Sequence, residues 1–127
     1  MGQRAAIYAR VSTADQSCER QLRDLAGSAA YWMYRMISTT APLHEKMTLF
    51  WHGHFATSAE KVAEADLMLQ QNQLLRRYAL GDFTRLVQEI SRDPAMLVYL
   101  DSADNRKSHP NENYARELME LFCLGEG

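Results

Sequence analysis

Hydrophobic residues recur at three- and four-residue spacing along most of this chain, and that spacing predicts helices. The clearest case begins at Pro42, because proline costs little at the first position of a helix. The apolar face expected for that helix consists of Leu43, Met47, Phe50, Trp51, His54 and Phe55. Glycine is about 1 kcal/mol worse than alanine inside a helix. We therefore expect Gly53 to serve close packing against a neighbouring element.

Further patterns of the same kind predict five or six helices in all. Ser28 is expected to cap the helix that precedes Pro42, and Asp82 and Asp93 to cap two of the later ones. The stretch 60–66 is expected to be a polar connection. Inward-facing positions are predicted at Leu74, Leu75, Tyr78, Phe83, Leu86, Val87, Ile90, Tyr114, Leu118, Leu121 and Phe122. The fold class predicted from residue 28 onward is therefore mainly all-α.

The first 27 residues follow a different pattern. Residues 4–11 form a short apolar run that predicts a buried strand, and Asp15 or Ser17 could cap a helix after it. A helix N-terminus that follows a strand offers free N–H groups to a phosphate. Arg10 and Ser12 lie two residues apart, on the same side of an extended chain. The small residues 26–28 then suggest a division into segments 1–27 and 28–127.

Two runs in this first segment resemble a known enzyme family: YARVSTADQ at 8–16 and CERQLRDL at 18–25. They are similar to the active-site signature of the serine recombinases, the resolvases and invertases. The resemblance implies that Ser12 attacks a DNA phosphodiester and forms a 5′-phosphoserine link, that Arg10 stabilises the phosphate, and that Gln16 supports the site. It covers about a fifth of the chain. No further strand of an α/β resolvase domain is found after this one, and a single strand leaves both its edges unpaired. We therefore expect only a short strand–turn–helix remnant of such a domain.

The histidines suggest a second kind of site. His52 and His54 are two positions apart, so on a regular helix they point about 200° away from each other. Glu45 shares a face with His52, but two turns separate them by about 10 Å. We therefore expect structural histidines and no metal or cofactor. The alternative is a metal-binding or hydrolytic helical module that uses His52, His54, Glu117 or Glu120.

Composition and charge limit the partners. The 127 residues carry a formal net charge of −2, and 46% of them are hydrophobic. Such a balance gives no general attraction to nucleic acid or to acidic membranes, so DNA is expected as a partner only if the first segment is functional. No apolar run is long enough to span a membrane, and no signal region begins the chain. Cys18 and Cys123 lie far apart and fit reduced thiols. These features predict a cytoplasmic protein.

Three runs in the longer segment resemble a second family: EKMTLFWHGHFATS at 45–58, DPAML at 93–97 and NENYARELMELF at 111–122. They are similar to the bacterial family called domain of unknown function 1800. The resemblance covers about residue 30 to the end, and implies a largely helical protein with no established reaction. It also implies that this chain is an early internal portion, which would expose apolar surface and favour self-association. The primary hypothesis is thus a helical fragment of unknown function. The alternatives are a DNA recombinase at Ser12 and a metal-binding or hydrolytic module.

Overall fold

The computed structural model describes residue 24, residues 26–102 and residues 112–124 of the chain, and in these it is mainly helical. Helix α1 covers 26–38. It is followed by α2 (Pro42–His54), α3 (Ala59–Val62), α4 (Ala65–Arg77), α5 (Phe83–Ile90), α6 (Pro94–Tyr99) and α7 (Glu112–Met119), with a π-helical turn at Glu120–Leu124. None of the described residues forms a strand. The strand–turn–helix expected before residue 24 lies outside the described residues.

The predicted helix starts are confirmed at three positions. Pro42 is the first residue of α2. Asp82 Oδ1 accepts a hydrogen bond of 2.9 Å from the Arg85 N–H, and Asp93 Oδ2 accepts one of 3.1 Å from the Met96 N–H. Each carboxylate satisfies one of the donors that the first turn of a helix leaves free. The short helix α3 overlaps the start of the expected connection at 60–66, and Ser58 caps it.

The predicted cap at Ser28 is wrong. Ser28 lies inside α1, and its hydroxyl donates a hydrogen bond of 2.9 Å to the carbonyl oxygen of Asp24, one turn earlier. A serine hydroxyl can bond in this way to the carbonyl four residues back, so it need not mark a helix start. The expected division of the chain at residue 27 stays a prediction, and the helix continues through Gly27.

The core lies where α4 packs against α2, α5 and α6. Its fully buried side chains include Phe55, Leu75, Leu86, Ile90 and Met96. Leu118 and Phe122 close it from the C-terminal helix and the π-helical turn. The inward positions predicted on α4, α5 and α7 are thus largely confirmed. Each of them belongs to a three- and four-residue repeat in which the apolar stripe is also the buried one.

The predicted apolar face of α2 is only partly buried: Trp51 packs against the core and Phe55 belongs to it, but two other members of the face are exposed. Leu43 and Phe50 are 62% and 55% exposed, whereas Glu45 and Thr48 are buried. The Thr48 hydroxyl is satisfied within the helix, because it donates to the carbonyl oxygen of His44 at 2.9 Å. Gly53 is also a correction, since a Cβ added there would meet nothing within 4 Å. Close packing therefore does not explain this glycine.

A buried polar chain links the turn after α2 to α4 and α6. The Thr57 hydroxyl donates to Gln71 Oε1 at 2.6 Å, and Gln71 Nε2 donates to Asp93 Oδ2 at 2.9 Å. Burial raises the pKa of Asp93, and the hydrogen bonds from Met96 and Gln71 only partly offset that effect. These two hydrogen bonds fix the relative positions of the turn after α2, α4 and α6. In the described part of the protein, no helix has both the length and the apolar character needed to cross a membrane.

Candidate ligand-binding site

A pocket of about 290 Å³ opens between α1, α2 and α4, with α3 at its edge. Its volume lies at the lower end of the range of roughly 300–1,000 Å³ that is typical of small-molecule sites. The apolar and aromatic part of its wall consists of Ala29, Tyr31, Trp32, Ala59, Met68 and Leu69. The polar part consists of Ser28, Arg35, His52, Asn72, Gln73 and Arg76. Among the described residues, this wall therefore contains two guanidinium groups and no carboxylate.

Behind the wall, a buried carboxylate holds three helices together. Glu45 Oε1 accepts hydrogen bonds of 3.0 Å from both Arg35 Nε and Arg76 Nε. Glu45 Oε2 accepts from Arg76 Nη2 and from the indole N–H of Trp32, both at 3.2 Å. The main-chain oxygen of Arg76 also lies 2.7 Å from Nε2 of the His44 ring, within hydrogen-bond distance. The Glu45 side chain thus joins α2 to α1 and to α4.

The Glu45 carboxylate remains charged despite its burial. Burial alone raises its pKa, but the hydrogen bonds and the positive charge of Arg76, with the bonds from Trp32 and Arg35, outweigh that effect and hold the pKa below its ordinary value. Two guanidinium groups therefore share one negative charge. The cluster of Glu45, Arg35 and Arg76 therefore has a net charge of about +1 beside the pocket.

His52 closes one side of the pocket. Its ring meets the Trp32 ring edge-on, with 4.9 Å between the ring centroids and 83° between the planes. Burial lowers the pKa of His52, so the ring is neutral at pH 7. Its Nδ1 atom is buried and has no hydrogen-bond partner in the described structure. A neutral imidazole can offer either a donor or an acceptor at this atom, depending on its tautomer.

Asn72 supplies a second unpartnered polar atom. The residue is 7% exposed, lines the pocket from α4, and its Nδ2 atom finds no hydrogen-bond partner among the described residues. Buried polar groups are nearly always hydrogen-bonded, and an unmet donor costs about 1–3 kcal/mol. Two residues of the pocket wall, His52 and Asn72, therefore hold buried polar atoms with no partner among the described residues, and this feature points to a bound molecule.

The structure separates the two histidines that the sequence singled out. His52 lies in the pocket, whereas His54 Nε2 lies 2.7 Å from the main-chain oxygen of Phe122. Glu117 and Glu120 lie at the end of α7 and the start of the π-helical turn. Within 24, 26–102 and 112–124, no group of three His, Cys, Asp or Glu side chains is placed to hold a metal ion. Arg10, Ser12 and Gln16 lie outside the described residues.

The comparison with protein-family models shows which family the chain belongs to. Residues 2–127 match the model of the family described as "Protein of unknown function (DUF1800)". The chain belongs to this family. Comparison with curated proteins and with solved structures finds no significant match.

The DUF1800 match confirms the second resemblance and covers the first segment as well. It begins at residue 2, so the stretch that resembles the serine recombinases lies within the region assigned to DUF1800. The comparisons give no support to a recombinase segment. The family description names no reaction, so the DUF1800 assignment leaves the chemistry of this chain to be argued from its pocket.

Sequence reasoning missed most of the pocket. It assigned no functional role to Trp32, Arg35, Asn72 or Arg76. One signal was available: Glu45, Thr48 and His52 recur at three- and four-residue spacing on α2. A polar stripe of that kind on a helix with an expected core face indicates buried polar pairs, although it does not name their partners.

Proposed function

We propose that this region of the chain is a non-catalytic module that binds a small organic molecule in the pocket between α1, α2 and α4. The observation that carries the proposal is that two residues of the pocket wall, His52 and Asn72, hold buried polar atoms with no hydrogen-bond partner among the described residues. Small-molecule sites combine apolar walls with a few polar groups that fix the orientation of the ligand. The expected ligand has a flat ring that packs on Trp32 and a polar group directed at Asn72.

The polar side chains of the pocket favour binding over catalysis. A nucleophilic hydroxyl needs an adjacent base to activate it. The Ser28 hydroxyl instead donates a hydrogen bond to the carbonyl oxygen of Asp24, one turn earlier. The carboxylate nearest to the pocket, Glu45, has both oxygens engaged by donors and a lowered pKa, which makes it a weak proton acceptor.

Indole-3-carboxamide is a suitable neutral probe, because it joins a flat ring to a group that accepts and donates hydrogen bonds. With about twelve non-hydrogen atoms at about 0.4 kcal/mol each, its binding free energy is about −5 kcal/mol, which corresponds to a Kd of about 0.2 mM. We would titrate ¹⁵N-labelled protein with the probe and follow the indole N–H of Trp32 and the side-chain amide of Asn72 by NMR.

Two alanines on α1 provide a matched control. Ala29 lines the pocket and Ala26 does not, and both are exposed. Ala29→Phe should fill the pocket and abolish the chemical-shift changes, whereas Ala26→Phe should leave them intact. The proposal is wrong if the wild-type protein shows no shift at Trp32 or Asn72 with about 5 mM probe, some 25 times the expected Kd. It is also wrong if the two variants bind the probe equally.

A further inference from the structure

The polar groups of the pocket show which class of ligand fits. Arg35, Arg76 and Asn72 each bring hydrogen-bond donors to the wall, and no carboxylate belongs to the part of the wall that the structure describes. Resting on the function proposed above, we infer that the pocket selects an organic anion: a small aromatic carboxylate whose charged group is bound by Arg35, with a further hydrogen bond from Asn72.

Of the two guanidinium groups, Arg35 makes fewer hydrogen bonds to Glu45 in the described structure. Arg76 holds Glu45 through two atoms, Nε and Nη2, and its side chain is 13% exposed. Arg35 contacts the same carboxylate through Nε alone in the described structure, and its side chain is 45% exposed. The terminal nitrogens of Arg35 are therefore accessible to an incoming oxygen. Guanidinium groups bind carboxylates through two parallel hydrogen bonds, which fixes both position and orientation.

The charge balance favours the same class of ligand. One carboxylate, Glu45, is shared between two guanidinium groups, so a bound anion would neutralise the remaining positive charge. His52 adds no charge near pH 7, because burial lowers its pKa. Asn72 Nδ2, a buried donor without a partner, would gain an acceptor from the same ligand.

The aromatic part of the ligand follows from the spacing along α1. Ser28, Tyr31, Trp32 and Arg35 lie three or four residues apart, so they share one face of the helix. A ring that packs against Trp32 would place its carboxylate one turn further on, at Arg35. Met68 and Leu69 on α4 provide the opposite apolar wall.

The test compares two probes of nearly identical shape, indole-3-carboxylate and indole-3-carboxamide, at pH 7 by the same NMR titration. Hydrogen bonds to charged groups are stronger than neutral ones, and half-exposure of Arg35 weakens the advantage. We expect the carboxylate to bind about tenfold more tightly than the amide. In Arg35→Gln the ratio of the two affinities should fall to about one, because the variant loses the group that distinguishes the carboxylate from the amide.

Arg77→Gln is the matched control, because Arg77 neighbours Arg76 in sequence, is exposed and does not line the pocket. It should keep the tenfold ratio. Arg35→Lys, which retains the charge but loses the planar pair of donors, should give an intermediate ratio and guards against misfolding of the glutamine variant.

The outcomes distinguish this inference from the proposed function. If both probes bind equally to the wild-type protein, the pocket binds small molecules but has no preference for anions, and the inference fails alone. If neither probe binds, the proposed function fails and the inference with it. If the carboxylate preference falls equally in Arg35→Gln and Arg77→Gln, general surface charge explains it and Arg35 is not the anion-binding group.

Discussion

The buried carboxylate of Glu45 offers the sharpest test of how this structure is held together. The perturbation is Glu45→Gln, which preserves the shape of the side chain but replaces one oxygen by an NH₂ group. Within the part of the chain that the structure describes, each hydrogen bond of the two Glu45 oxygens comes from a donor of Trp32, Arg35 or Arg76. Whichever way the amide is oriented, it therefore presents hydrogens to at least one of these donors.

The magnitude follows from the exposure of the partners. Removing one member of a fully buried ion pair costs about 3–5 kcal/mol, because the other charge is left uncompensated. The Arg76 side chain is mostly buried, but it lines a pocket that water can enter, and the half-exposed Arg35 is readily solvated. We therefore expect Glu45→Gln to lower the free energy of unfolding by about 2–3 kcal/mol. A domain of this size has about 5–15 kcal/mol in total, so the variant should still fold.

Urea unfolding followed by circular dichroism measures the effect, with Lys46→Gln as the control. Lys46 is the next residue on α2 and is exposed, so its substitution should change the free energy of unfolding by no more than about 0.5 kcal/mol. A loss below about 1 kcal/mol for Glu45→Gln would show that the cluster contributes no more than an exposed ion pair. The structural reasoning would then be wrong.

The pH dependence of the same difference identifies its cause. The pKa of Glu45 is lowered in the folded protein, so its contribution to stability is present above about pH 4.5, the ordinary value, and is lost as the pH falls through the folded-state pKa. The gap between wild type and Glu45→Gln should therefore shrink on acidification below that value. A gap that stays constant down to pH 3 would indicate that packing, rather than charge, accounts for the loss.

Three further predictions follow from single positions. Gly53→Ala should raise the free energy of unfolding by about 0.5–1 kcal/mol, because the added methyl group meets open space in a helix; an unchanged or lower melting temperature would contradict this. The pKa of His52 is lowered by burial, so stability should fall as the pH drops below about 6.5, and urea titrations of His52→Gln should show a weaker decline between pH 7.5 and 5.5. If the recombinase resemblance reflects activity, a nicked duplex substrate should yield a covalent protein–DNA band on a denaturing gel; its absence, or its persistence in Ser12→Ala, would refute that activity.

The positions of the helices could be predicted from the sequence because their signals are local. Asp82 and Asp93 satisfy N–H groups three residues away, and the stripe of Leu86 and Ile90 repeats within one helix. Each signal lies within about one turn of the residue that it positions, so tertiary structure is not needed to recognise it. Ser28 shows the limit of this reasoning, because the same hydroxyl can cap a helix or bond back within one.

The burial of Glu45 on α2 could not be predicted, because its partners are distant in sequence. Glu45 is buried only where Trp32, thirteen residues before it, and Arg76, thirty-one residues after it, are brought together by the fold. A ranking by hydrophobicity selected Trp51 and Phe55 correctly, but it also selected Leu43 and Phe50, which are more than half exposed. The pocket was missed for the same reason: its wall combines residues of four helices, and no single segment carries the pattern.

The cluster that holds α1 in place also determines the chemistry of the pocket. Trp32 and Arg35 bind α1 to Glu45 of α2 and at the same time form part of the pocket wall, and Arg76 does both from α4. A ligand that requires these groups binds only when α1 is docked, so saturation at one hundred times its Kd would stabilise the docked state by about 2.7 kcal/mol. That is close to the stability which the Glu45 cluster itself is expected to provide. The shared carboxylate therefore leaves α1 docked without ligand, while Arg35 keeps the donors with which an anion could strengthen the same contact.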